Sequence, residues 1–496
     1  MTSIPRRQRR QYRDLEAQNK ELRERNACLE QRVLELEAQN AELKKSLAAA
    51  GKNSRNSSKP PSSDIVKAPA KSKSKHWGKS RGVGAQKGHP KHERPDFAPE
   101  QIDHHIPYRL DSCPVDDSHK MASTDQVAKT LQQVELLKKP FVVTEHTAYM
   151  SWCEDCGCYH SATLPGEVSA AGLFGPRLTS FVAFLKGKLH SSYSSIECLL
   201  EDVLGLSVSR GYLAKLLQKA SRAFEAPYDE LLRALPGQVR LNIDETGHKE
   251  NAKRLWTWCF RAPAFVIFKI AERSSQILID LLGSQFEGIL GCDCYSAYRK
   301  YARKCGVLLQ FCMAHLIREV KYLCEYPDKH VRKYGEGLIE ALKGLFTILH
   351  RKDRMSDNTF QRKLAEAEEQ IWEAALAPRA WPDRFGGRHP PRLIENMVIR
   401  FIKHGEGYFR FITSPGVEPT NNIAEQAFRF IVIGRLITQG TRSLRGRRAS
   451  ERLWTVLASC KIQNRSAFEW MLQAITAHYK KQPLPSLLSN TADSQS

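Results

Sequence analysis

The sequence predicts a multidomain chain of α+β/α class. An N-terminal coiled coil, a small metal-ribbon-like region and a helical, helix-turn-helix-like region precede a mixed α/β domain with a helical insertion. Three observations lead there. Leucines recur seven apart near the N-terminus. A Ser-, Lys-, Pro- and Gly-rich stretch follows, in which no core can form. Beyond residue 238, runs rich in Val, Ile, Trp and Phe give way to alternating strand-like and helix-like segments. A chain of 496 residues has room for about two to four domains.

The coil spans 10–49. Leu15, Leu22, Leu29, Leu36 and Leu43 occupy d positions, and Tyr12, Asn19, Asn26, Val33, Asn40 and Leu47 the a positions. Asparagine at a costs stability but fixes register, typically in a parallel dimer, and Arg25–Glu30 and Arg32–Glu37 fall at interchain g–e′ positions. A homodimer or higher oligomer is expected.

Residues 50–100 read as a basic flexible linker. Between Lys52 and Arg94 there are 12 Lys and Arg but only two acids, Asp64 and Glu93. Such a segment buries too little to fold alone, and it can track a phosphate backbone. Lys59 is its candidate DNA contact. The whole chain carries a net charge of +22, with 76 Lys and Arg against 54 Asp and Glu. That points to a polyanion partner, nucleic acid before an anionic membrane surface. Mean hydropathy is −0.46. No run approaches the roughly 18 uncharged apolar residues of a membrane span, and MTSIPRRQRRQYRD leads into no apolar leader segment. Thirteen cysteines, an odd number without a regular framework, suit reduced thiols.

Residues 104–165 form the zinc-binding-like region. Cys153-x-x-Cys156 has knuckle spacing, and Cys113 supplies a third thiol. Asp116 stands where a second pair would be completed, so the fourth ligand to Zn²⁺ is sought among Asp116, His119, Cys158 and His160. Val134–Leu137 and Phe141–Thr147 look like short strands. Residues 170–236 are helical and helix-turn-helix-like: Gly175-Pro176 opens the region, Gly205 interrupts it, and Ser207 or Ser209 caps a second helix.

The domain at 238–480 contains three acids set apart by position. Asp244 is expected to end the strand of RLNIDETG, Asp293 to end that of GILGCDCYSAY, and Glu425 to lie in a helix after a cap-like Thr420-Asn421-Asn422. Strand-end carboxylates and a helical glutamate can converge at one edge of a sheet, where they suit two Mg²⁺ (or Mn²⁺) ions in phosphoryl transfer. The fold this order implies is ribonuclease H-like. Glu245 follows Asp244 directly, so its side chain should point to the opposite face. His315 and Arg318, one helical turn apart, are candidate phosphate contacts, as are Arg429 and Arg435, which follow the last acid. The helical insertion covers about 325–410, one long helix is expected near 449–477, and 481–496 reads as a disordered tail.

These residues resemble a transposase of the insertion sequence 66 family, within the DDE superfamily. The match rests on Asn53-Ser-Arg-Asn-Ser-Ser-Lys-Pro-Pro-Ser-Ser-Asp64 after a coil, Asp244-Glu-Thr, and Cys-Asp-Cys-Tyr-Ser-Ala-Tyr around Asp293. It also rests on Ala314-His315-Leu-x-Arg318, and on Thr420-Asn-Asn-x-Ala-Glu425 followed by Arg429 and Gly434-Arg435. The resemblance implies that Asp244, Asp293 and Glu425 are the catalytic triad and metal ligands. It implies cleavage and strand transfer of DNA at the element's terminal inverted repeats, joining to target DNA, and accessory proteins of the same element. The setting would be a bacterial cytoplasm, at the nucleoid. The family usually has two CxxC pairs, and after Gly434-Arg435 an aromatic-rich segment ending in Gly-Ser-Asp. Here Asp116 replaces one Cys, and LITQGTRSLRGRRASER follows instead. The rival readings are a transposase-derived DNA-binding regulator and a metal-dependent nuclease without strand transfer.

Overall fold

A computed structural model describes residues 6–50, 96–108, 110, 114–116, 118–120, 127, 129–134, 136–137, 139–156, 158–380 and 390–488. Lys59, Cys113 and most of the 50–100 linker lie outside these residues. The chain forms two compact units, residues 67–146 and residues 1–66 with 147–496. The boundary falls inside the expected 104–165 region.

In the smaller unit the described residues form one 3-10 turn, Pro99–Gln101, and a turn at 116–119, where the His119 N–H donates to the Asp116 carbonyl at 3.1 Å. The Gln132 amide closes the first, accepting from the Phe97 N–H at 2.6 Å and donating to the Phe97 carbonyl at 3.1 Å. Among the described residues, no strand forms at the expected 134–137 or 141–147. Val142 and Val143 are 89% and 70% exposed, and β-branched residues without a pairing strand gain nothing from the pleat.

The larger unit opens with helix α1 (Arg6–Ala50), unbroken through the heptads. Strands β1 (Met150–Cys153) and β2 (Cys158–Ser161) make an antiparallel hairpin around the CxxC. Helices α2 (Gly166–Ala171), α3 (Pro176–Gly187), α4 (Tyr193–Cys198, continued by a π turn to Val203), α5 (Arg210–Ala223) and α6 (Glu225–Ala234) follow. Residues 166–187 have the length and mean hydropathy, 1.4, of a spanning helix, which departs from the expectation above. They are two helices parted at Gly172 (φ +70°), and Val182, Ala183 and Leu185 enter the core. The turn before α5 is as expected: Gly205 has φ +64°, and the Ser209 hydroxyl accepts the Tyr212 N–H at 3.2 Å.

The sheet comes next. β3 (Arg240–Glu250), β4 (Lys253–Arg261) and β5 (Val266–Ala271) form an antiparallel meander. α7 (Gln276–Leu282), β6 (Ile289–Cys292), α8 (Ser296–Cys305), β7 (Leu308–Phe311) and α9 (Met313–Cys324) complete the alternation. The strand order is β5-β4-β3-β6-β7, with β6 and β7 parallel to β3. The insertion contributes α10 (Lys329–Leu349), α11 (Asp357–Leu376) and α12 (Arg392–His404), and short α13 (Arg410–Thr413) leads to α14 (Asn422–Thr438). The chain ends in α15 (Leu444–Ile462) and α16 (Ala467–Tyr479). The single helix expected at 449–477 is thus two. Asn464 takes φ +52°, and the Ser466 hydroxyl caps α16 through the Glu469 N–H at 3.3 Å.

Side-chain alternation sorts the sheet into two faces. Leu241, Ile243, Trp258, Phe260, Ile267 and Leu290 enter the main core with Tyr298 and Tyr301 of α8. Cys259, Val266 and Phe268 pack under Ala424, Phe428 and Ile431 of α14. Each such fully buried apolar side chain is worth about 1.5–3 kcal/mol.

Both sheet edges are sealed. Along β5, the Val266, Phe268 and Ile270 N–H groups donate to Ser459 Oγ (3.1 Å), Thr455 Oγ1 (3.1 Å) and Glu451 Oε1 (2.7 Å). These three acceptors stand four residues apart on α15, one helical face replacing a sixth strand. At β7 the buried Gln310 amide donates to the Tyr408 carbonyl and accepts the Phe411 N–H. The tail is also corrected: through residue 488 it is docked, with Leu487 fully buried and the Ser486 hydroxyl donating to Glu230 at 2.8 Å. Residues 489–496 lie outside the described residues.

Buried His248 predicts a pH effect. It shares hydrogen bonds with Thr441 (3.1 Å) and Thr257 (3.3 Å). Burial, then Arg435 and Arg447, lower its pKa from 6.5 to about 4. The unfolded chain therefore binds the extra proton first. His248 contributes full stability above about pH 6.5 and loses it as pH falls toward 4, up to about 3 kcal/mol. His248→Gln should flatten the fall in melting temperature between pH 7 and pH 5 relative to wild type. Parallel curves would overturn this.

Candidate active site

β3 and β6 run parallel only as far as the pair Asn242–Gly291. Asp244 and Asp293 lie just beyond it, at the carboxyl ends of adjacent parallel segments. Asp293 follows β6 as expected. Asp244 does not end its strand: β3 continues to Glu250 as a hairpin with β4, turned by Asn251 (φ +45°) and Ala252 (φ +67°). Only its parallel pairing ends there. Even-numbered Asp244 faces α14, whose first turn carries Glu425. Glu245 points the other way, as alternation requires, to Arg273 (2.6 Å) and to the Tyr298 hydroxyl.

Asn421 sets the position of α14. Its side chain, expected to cap the helix, instead crosses to the sheet. It donates to the Ile243 carbonyl at 2.7 Å and accepts from Asn242 at 2.9 Å, while its N–H donates to Cys312 Sγ at 3.1 Å. The first turn of the helix is thereby pinned beside Asp244.

Two of the acids are strongly perturbed. Burial holds the Asp244 carboxyl well above its ordinary value, and the charges of Glu245, Asp293 and Glu425 add to the effect. Asp293 is raised to about 6, by burial and then by Glu245. Each accepts a neighbouring backbone N–H, from Glu245 to Asp244 (3.0 Å) and from Tyr295 to Asp293 (2.9 Å). Among the described residues neither has an ion-pair partner within 4.0 Å. Clustered, desolvated carboxylates of this kind mark functional sites and are stabilised by a cation.

Glu425 is partnered. Its Oε1 lies 3.2 Å from the Arg318 guanidinium and 3.7 Å from His315 Nε2. Both partners come from α9, so the two residues one turn apart meet the third acid directly. His315 is held neutral, its pKa lowered to about 4 by burial and by Arg318. His315 Nδ1 and Arg318 Nε are buried without a hydrogen-bond partner among the described residues. Cys312, His315 and Glu425 also lie close enough to share an ion.

The two arginines of α14 differ. Arg429 is exposed on α14. Arg435 is half-buried, and one nitrogen of its guanidinium donates to Thr246 Oγ1 at 3.1 Å and to the Gly247 carbonyl. The sequence reading missed Arg273, which stacks on Tyr295 (3.9 Å) and Trp256 (4.4 Å) while holding Glu245. No periodic signal marks it. It also missed Glu319, one residue past Arg318, which pairs with Arg400 of α12 and so ties the insertion to the site. In the β1–β2 hairpin, Cys153 and Cys156 group with His160 as possible metal ligands, and Cys158 lies 3.5 Å from His160.

The model of the transposase IS66 family matches residues 171–449, from the helical region through all three acids. This chain belongs to the transposase IS66 family. A second model, a family of unknown function (DUF6444), matches residues 3–95. Two curated relatives of this IS66-family protein come from Sinorhizobium fredii (strain NBRC 101917 / NGR234). "Uncharacterized protein y4hP" is 22% identical over 377 residues, covering 71% of this chain and 67% of that protein. "Uncharacterized protein y4qI" is 23% identical over 345 residues, covering 64% and 61%.

Proposed function

We propose that this IS66-family protein is a DNA transposase that cleaves DNA at element ends and transfers the strand to target DNA, through a ribonuclease H-like domain with a DDE triad. The observation that carries this is the convergence of Asp244, Asp293 and Glu425 where the parallel strands end and α14 begins. The antiparallel meander followed by parallel strands supports the fold assignment.

The three carboxylates fit Mg²⁺ or Mn²⁺: all are hard oxygen donors, and burial and neighbouring carboxylates hold two of them above their ordinary pKa. When bound, two such ions supply Lewis-acid stabilisation to the attacking and leaving oxygens of an in-line displacement. The chain's own residues supply the frame. Asn421 fixes Glu425 against β3. Arg318 and neutral His315 offer donors beside Glu425 for a phosphate oxygen. Arg429, one turn farther along α14, can meet the backbone of the same strand. Cys153, Cys156, His160 and Cys158 have the donor chemistry of a Zn²⁺ site; Cys113 lies outside the described residues.

The partners proposed are the terminal inverted repeats, target DNA, a second copy of the chain and accessory proteins of the same element, in a bacterial cytoplasm at the nucleoid. The second copy has a seam to join. Leu22, Leu29, Leu36 and Leu43 are 58%, 55%, 44% and 68% exposed on one continuous helix, a heptad stripe buried only by another helix. Leu29→Glu with Leu36→Glu should halve the mass measured by sedimentation, and an unchanged mass would remove the coil from assembly.

The test of function uses purified protein, Mg²⁺ or Mn²⁺ and labelled DNA carrying the element's own end. Nicking and joining together support transposition. Nicking without joining would make the protein a nuclease, and binding without chemistry a regulator.

A further inference from the structure

We infer that the outer flank of α14 and the loop after it form a DNA wedge, an apolar tip that enters between stacked bases while a collar of arginines and lysines holds the backbone. This rests on the DNA-transposase reading above.

The outward stripe of α14 runs Asn422, Gln426, Arg429, Ile433, Leu436 and Ile437, at spacings of three and four that share one helical face. It begins polar beside Glu425 and ends apolar. Ile433, Leu436 and Ile437 are 49%, 75% and 49% exposed, and Leu444 across the turn is 47% exposed. This is a cluster of large aliphatic side chains rather than a scattered few, and such clusters mark interaction sites.

The tip is rigid. After α14 the chain docks on the β3–β4 hairpin: the Thr441 N–H donates to the Lys249 carbonyl at 2.9 Å, and the Asn251 N–H to the Thr441 carbonyl at 3.0 Å. Gly440 takes φ +100°, and a Cβ there would stand 2.0 Å from the Lys249 carbonyl oxygen. Only glycine allows that approach.

The same docking gathers charge. Lys249, Lys253 and Arg254 at the hairpin tip and Arg442, Arg445 and Arg448 of the loop and α15 are all exposed. The nearest acids are engaged: Glu250 pairs with Arg447 at 3.5 Å, and Glu272 with Lys253 at 3.6 Å. Lys249, Arg254, Arg442, Arg445 and Arg448, with Lys253 beside its Glu272 partner, complement phosphates around a base step. They do not complement the apolar face of another protein. Aliphatic side chains inserted at a base step unstack and kink the duplex.

With α14 laid along the duplex and Glu425 at the cleaved phosphate, the length of the helix gives the place. Leu436 lies eleven residues along the helix from Glu425, about 16 Å at 1.5 Å per residue. That is about five base steps at 3.4 Å each. The unstacked step should therefore lie about five nucleotides from the cleaved phosphate.

The test uses the full chain, EDTA to prevent cutting, and duplexes carrying the element's end with 2-aminopurine at single positions. A several-fold rise in fluorescence is expected about five nucleotides from the cleaved phosphate, and none ten or more away. Leu436→Ala with Ile437→Ala, both exposed, should melt like wild type and, at protein concentrations where anisotropy shows the duplex fully bound, lose the rise. Uniform fluorescence, a rise that survives in the variant, or a variant of altered sedimentation mass would overturn the wedge; the last would make the ridge a protein interface. Wild-type protein that fails to bind the duplex overturns the transposase reading and the wedge together, whereas binding without any rise overturns the wedge alone.

Discussion

Asp293→Asn and Asp244→Asn should abolish strand chemistry while making the metal-free protein more stable. The first effect follows from the donor set. A metal ion held among carboxylates supplies several kcal/mol of transition-state stabilisation, and each 1.36 kcal/mol is tenfold in rate, so a loss of about 10³-fold or more is expected. The second follows from linkage. The folded Asp293 carboxyl titrates near 6, against 3.8 for the ordinary group. The unfolded chain therefore releases that proton first, and ionisation of the native site costs stability as pH rises through this window. Above about pH 6 the cost reaches up to about 3 kcal/mol, and below pH 4 it vanishes. Melting in EDTA at pH 7.5 should thus favour Asp293→Asn over wild type, with the two curves meeting near pH 4. Asp244→Asn shifts in the same direction. Full nicking by either variant would remove the triad, and a lower melting temperature at pH 7.5 would contradict the electrostatics.

The second large effect lies at the sheet edge. Thr455→Val with Ser459→Ala should leave the buried N–H groups of Phe268 and Val266, and the Val266 carbonyl that Ser459 also serves, without partners. Each buried unpaired group costs about 1–3 kcal/mol, so with three groups left unpaired the double variant should lower stability by about 3–9 kcal/mol. The difference is read by chemical denaturation. Thr455→Ser keeps the acceptor and should recover most of its share, which distinguishes the lost hydrogen bond from altered packing. An unaffected double variant would mean that water serves the edge instead.

Much of the site was legible because its signals are local. A short apolar run that stops at an acid marks Asp293, strand alternation turns Glu245 away from Asp244, and helical spacing joins His315 to Arg318. Several of the misreadings are long-range. Arg435 read as a phosphate contact alone because nothing nearby shows that Thr246 and Gly247, nearly 190 residues earlier, hold one nitrogen of its guanidinium. Asn421 resembled a cap because its partners lie on β3. β3 overran Asp244 because β4, which extends it, sits across a two-residue turn that composition did not reveal. The tail looked disordered from Pro483 and Pro485, yet Leu487 finds a socket and Ser486 finds Glu230. The division at Asn464 was nearer to legible, since Asn464 and Ser466 are ordinary left-handed and capping residues.

The sealing of β5 by α15 also sets the order in which this molecule can become safe during synthesis. The meander is made roughly 180 residues before Glu451, Thr455 and Ser459 exist. Until they leave the ribosome, the nascent chain carries an open strand edge of the kind that recruits other strands. A gene copy cut short before residue 444 would still encode two of the three acids and, with Glu425, even the third. Its product would lack the cover for β5 and would be expected to aggregate. For an element that accumulates frameshifts, such a product would be removed by misfolding before its chemistry could matter.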